Sequence, residues 1–71
     1  MGVAERALMT ADEFTRAVSR TALRERARRM AYAILVEGVS AGVAAAREGV
    51  SRQAARQAAQ RVLQEITGRH L

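Results

Sequence analysis

The chain has no cysteine, no proline, no tryptophan and no lysine, and Phe14 and Tyr32 are its only aromatics. Without cysteine there can be no disulfide and no thiolate metal site, which fits a reducing compartment. Without proline, and with five glycines in 71 residues, little interrupts a helix. β-Branched residues never cluster in alternation, so strands have little support. No apolar run approaches the ~20 residues needed to cross a bilayer. Met1 to Arg6 lacks the long apolar segment of a signal peptide, and a soluble, cytoplasmic protein is expected. Two aromatics so far apart make no stacking platform for single strands. Phe14 is expected in the core; Tyr32 reads as a partly buried helix residue before a phosphate donor. The single histidine, His70, stands in the tail, and the seven carboxylates are scattered. Neither a phosphate-cradling glycine loop nor metal-ligand spacing occurs. No catalytic residue, metal, cofactor or small-molecule ligand is expected, and the chain does not read as an enzyme.

Alanine and arginine are abundant instead. Hydrophobic residues make up 49% of the chain, much of it alanine, so the core must be thin, with close helix approach replacing bulk. A domain this small is marginal alone, and a partner subunit or DNA is expected to add stability. The net charge is +5 and all twelve cationic side chains are arginine. Codon bias in a GC-rich genome accounts for arginine over lysine but not for the positive sign, which is the footprint of a nucleic-acid binder.

The most informative stretch runs from Ser40 to Ala58: a short helix, a glycine turn, a serine cap and a second helix, at helix-turn-helix spacing. Ala45, four before Gly49, is small where two crossing helices come closest. Gly49 can take the left-handed conformation that ends a helix, Val50 can turn back into the core, and Ser51 can cap the next helix. Beyond it Ala54, Ala55, Ala58, Ala59, Val62, Leu63 and Ile66 form one apolar face. The opposite face carries Arg52, Gln53, Arg56, Gln57, Gln60 and Arg61, residue types that make two-pronged bonds to guanine and adenine in the major groove. A plain alanine-faced structural hairpin is the competing explanation.

Upstream, Met1 to Met9 is weakly patterned and expected to fray at first, with Leu8 and Met9 able to pack on the chain after them. Thr10-Ala11-Asp12-Glu13 has the form of a capping box, opening a first helix with Phe14, Ala17 and Val18 buried and its end near Ser19 or Arg20. The spacing predicts a second helix from Thr21 to Glu37, with Leu23, Ala27, Met30, Ala31, Ile34 and Leu35 on one stripe and Gly38 as its stop. Arg24, Arg26, Arg28 and Arg29 take its other face, Glu25 pairing with Arg29 at i,i+4. That run is either a solvated face or a set of phosphate contacts. The third helix is expected over about 41–48 and the fourth from Arg52 to about Thr67, followed by a tail, Gly68 to Leu71. Gly42, inside the third helix, either permits a close backbone approach or is simply tolerated.

With these residues in view, the chain resembles the KorA (TrfB) repressors of broad-host-range plasmids. The likeness runs in register through Met9-Thr10, Phe14, then Ala33-Ile34-Leu35-Val36-Glu37-Gly38, similar to that family's "VLVDG" signature. It continues through Gly49-Val50-Ser51-Arg52, Gln57-Ala58 and Arg61-Val62. The resemblance implies a sequence-specific repressor that binds palindromic operators as a dimer, with Gln57, Arg61 and Arg52 at base-reading positions. It also implies a C-terminal β-containing dimerisation segment, which is not found before Leu71; the chain then pairs through its helices, binds as a monomer or is a shortened form, and pairing through helix faces is expected.

The expected protein is therefore one all-α domain over residues 1–71, a bundle of about four helices with the helix-turn-helix at about 40–60. The fourth helix would enter the major groove, with Arg52, Gln53, Arg56, Gln57, Gln60 and Arg61 toward bases. Ser40, Arg47, Ser51, Arg24, Arg28 and Arg29 would meet phosphates, and repression would follow by excluding polymerase from a promoter. The alternative class is a small basic interaction module, antitoxin-like or docking an acidic partner, with only non-specific DNA affinity. A membrane-surface helix is disfavoured because alanine faces gain little from lipid.

Overall fold

The capping box at Thr10 forms as the sequence spells it. Its Oγ1 accepts from the Glu13 amide at 3.1 Å while its own amide donates to Glu13 Oε1 at 2.9 Å. A computed structural model describes residues 7–67 of the chain, and the expectations for Met1 to Arg6 and for the tail from Gly68, His70 included, lie outside the described residues. Among the described residues four helices succeed one another: α1 (Ala11–Val18), α2 (Glu25–Leu35), α3 (Ala41–Glu48) and α4 (Arg52–Thr67). No strand occurs among the described residues. The fold is all-α, as expected.

Two boundaries of α2 differ from expectation. It starts at Glu25 rather than Thr21, because the Thr21 hydroxyl and amide both donate to the Val18 carbonyl, at 3.3 and 3.0 Å. These bonds turn Thr21 back onto the end of α1, so the chain does not enter a new helix there. Arg24 takes the extended N-cap position without a side-chain cap. At the other end α2 stops at Leu35, where the amides of Leu8 and Met9 donate to the Leu35 carbonyl at 2.8 and 3.1 Å. Gly38, with φ 77°, then turns the chain away.

α4 packs against all three other helices, most extensively against α2. One part of the core joins Met9, Phe14, Ala17, Ala31, Leu35, Ala58, Ala59 and Val62; the other joins Met30, Ala33, Ala44, Ala45 and Ala55. The second part is alanine but for one methionine, so α3 can lie close against α2 and α4. Phe14 meets half-buried Tyr32 edge to face, ring centroids 5.1 Å apart, an arrangement favoured by the ring quadrupoles. Ile66 is a correction to the expected apolar face of α4: it is 46% exposed, lying beside Glu13, Arg16 and Arg20 on the rim of α1 and not over the core. Leu8 is likewise exposed while Met9 is buried.

Candidate nucleic-acid interface

The α3–α4 junction has the expected local chemistry. Ser40 caps α3 by accepting from the Val43 amide at 3.2 Å, and Ser51 caps α4 by accepting from the Ala54 amide at 3.1 Å. Gly49 is left-handed, φ 69° and ψ 30°. Its amide donates to the Ala46 carbonyl at 3.3 Å and the Val50 amide to the Ala45 carbonyl at 3.1 Å, the paired bonds of a Schellman ending. Val50 packs on the alanine part of the core beside Ala45 and Ala55. Gly42 is exposed, and a Cβ there would meet Arg52 Cδ and Ser40 Oγ only at 4.0 Å. Close helix approach therefore does not require this glycine. The Arg52 side chain reaches back over the first turn of α3 at this point.

On α4 all six expected base-facing residues, Arg52, Gln53, Arg56, Gln57, Gln60 and Arg61, are exposed. At 100° per residue Gln53, Gln57 and Gln60 run down the line opposite the buried Ala55, Ala58 and Val62, with Arg52 and Arg56 on one flank and Arg61 on the other. Gln64 continues the line and is exposed. Extending the same spacing by one turn finds it in the sequence, and it was not among the expected residues. Among the described residues Arg52, Arg56 and Arg61 form no ion pair, so their guanidinium donors face solvent.

The arginines at the start of α2 do not line one groove. Arg24 and Arg26 line a groove against α4 with Leu23, Gln57 and Arg61, so the start of α2 borders the glutamine line. Arg28 and Arg29 line a different groove, with Phe14, Tyr32, Ala44 and Arg47. Arg29 binds Glu48 in a two-pronged pair, Nε to Oε2 at 3.0 Å and Nη2 to Oε1 at 2.8 Å. It also keeps the expected i,i+4 pair with Glu25 at 3.3 Å. The hydrogen bonds from Arg29 hold the Glu48 carboxyl below its ordinary pKa, against an opposing push from burial. The same bonds raise the Arg29 pKa further. Arg47 pairs with Glu37 at 3.7 Å. Ser40 and Ser51, used as caps through their oxygens, retain a hydroxyl hydrogen that can be donated.

A cation-rich, amide-lined helix set on a left-handed glycine turn is the architecture of a small helix-turn-helix protein. Its sequence matches the family model KORA, described as TrfB plasmid transcriptional repressor, over residues 9–70. The chain belongs to that family of plasmid transcriptional repressors. A repressor family is not a class of enzymes. No curated protein and no solved structure matches the chain. No helix among the described residues is long and apolar enough to cross a membrane.

Proposed function

We propose that the chain binds a specific double-stranded DNA operator with α4 in the major groove, as a symmetric dimer on a palindrome, and represses by occupying a promoter in the cytoplasm. The observation that carries this is the α4 surface: Gln53, Gln57 and Gln60 in line, flanked by Arg52, Arg56 and Arg61 without acidic partners. Glutamine pairs two-pronged with adenine and arginine with guanine. Gln64 lies on the same line and reaches the far edge of the same site. Ser40, Ser51 and Arg24 flank the helix and serve phosphates, and Arg26 joins them.

The dimensions limit how much of an operator one copy can read. A 16-residue α4 is about 24 Å long at 1.5 Å per residue, and the molecule is 31 Å across its longest axis. Successive major-groove faces lie about 34–36 Å apart, so one protomer reads a single half-site and two related copies read both. A single helix makes few base contacts, and doubling them is the simplest source of specificity.

Selection of bound duplexes from a random pool tests this. A recovered inverted repeat with half-sites about one helical turn apart supports the proposal. Recovery of an asymmetric single site removes the dimer, and recovery of no preferred sequence returns the chain to the class of basic interaction modules.

A further inference from the structure

Every guanidinium nitrogen of Arg29 is turned to a carboxylate: Nε and Nη2 to Glu48 at 3.0 and 2.8 Å, Nη1 to Glu25 at 3.3 Å. Glu48 is the last residue of α3, directly before the Gly49 turn. A carboxylate is disfavoured there by the negative end of the helix dipole, and it adds negative charge next to a surface read as binding a polyanion. Its side chain keeps only 16% of its exposure, against 52% for Arg29. Arg26 reaches the same carboxylate at 4.0 Å. The buried part of the contact of α3 with α2 is otherwise small side chains, Ala33, Ala44 and Ala45 beside Met30, with half-buried Ile34, Val39, Ala41 and Val50 packed around it. Alanine faces interdigitate less than larger side chains, so a directional polar contact adds to what fixes α3 on α2. A two-pronged arginine–carboxylate pair fixes both distance and plane, which a lysine cannot do.

We propose that Arg29 and Glu48 form a strut that sets where α3 and its turn sit on α2. It thereby positions α4 for DNA, and Arg29 acts on operator affinity through Glu48 and not by touching a phosphate. Both are positioning residues. The proposal rests on α4 being the DNA-reading helix. The lowered pKa of Glu48 agrees with a pair that stays charged at neutral pH.

The test is the affinity of the full chain for its selected duplex, over a series of salt concentrations. The proteins are the parent, Glu48→Ala, Arg29→Ala, the double variant and Glu48→Gln, with helical content and melting measured in parallel. The strut predicts that Glu48→Ala weakens specific binding by about tenfold although it removes negative charge. Arg29→Ala should do the same, and the double variant should be no weaker than the weaker single, as for one coupled contact. The salt slope stays that of the parent. Glu48→Gln, which still accepts from the guanidinium, binds between Glu48→Ala and the parent. If an alanine variant is unfolded at the assay temperature, Glu48→Gln carries the comparison. Folded variants that bind as tightly as the parent, or more tightly, overturn the strut. So does a salt slope that falls by about 0.9 in Arg29→Ala, the mark of a lost phosphate contact. A parent without any sequence preference instead removes the DNA reading, and the strut's purpose with it.

Discussion

Gln57 and Arg61, one turn apart on α4, share a groove with Arg24 and Arg26 of the start of α2. Gln57, on the glutamine line, and Arg61, on its flank, therefore stand beside a cationic border. Gln57→Ala and Arg61→Ala should each reduce the preference for operator over random duplex by about 1–3 kcal/mol, the range of a two-pronged base contact. Helical content should stay unchanged. Competition binding checks this, and an undiminished preference in either variant removes that residue from base reading.

Gly49→Val should destabilise the fold and not act on DNA selectively. No atom lies within 4 Å of an added Cβ, so the cost is not a clash. It comes from holding a β-branched residue at φ 69°, at least about 1–2 kcal/mol. Gly49→Asn should be tolerated better, since asparagine visits this region. Thermal melting is the measurement, and an unchanged midpoint for the valine variant contradicts the turn.

The arginines of α2 should separate by their neighbours. Arg24→Ala should flatten the salt dependence of binding by about 0.9 in slope, as for one phosphate released, and weaken all sequences alike. Arg29→Ala should leave the slope unchanged, because its donors already face Glu48 and Glu25. Titrations at several salt concentrations distinguish the two, and equal slopes for both variants contradict the division.

Acid should release the α2–α3 pair. Hydrogen bonds from Arg29 hold Glu48 below its ordinary pKa of 4.5, so the unfolded chain takes up this proton at higher pH than the folded one. The stabilisation is fully present above the ordinary value and is lost as pH falls through the lower, folded one. Melting temperature against pH should therefore fall more steeply below 4.5 for the parent than for Glu48→Gln. Parallel curves would show that the carboxylate is not held by Arg29.

How far the sequence disclosed this arrangement depended on distance along the chain. Thr10 with Glu13, and Gly49 with Ser51, were readable because each motif closes within a few residues through bonds that few other residues can make. The start of α2 was not, since Thr21 could equally cap forward or bond back to Val18, and tertiary packing decided. Ile66 continues the apolar period of α4, but a period does not reveal where the neighbouring helix ends. The Arg29–Glu48 pair joins residues 19 apart, and only the crossing of α2 and α3 brings it together. An arginine run thus looked uniform when its members face two different grooves.

The most direct test of the central claim is the ratio of dissociation constants for the selected palindrome and a scrambled duplex at fixed physiological salt, with α4 intact and with Gln53, Gln57 and Gln60 replaced by alanine. A ratio of about 10³ or more is expected for the parent, collapsing toward unity in the folded triple variant. Equal affinities for both duplexes in the parent, or an unchanged ratio in the variant, would contradict α4 as the sequence-reading helix.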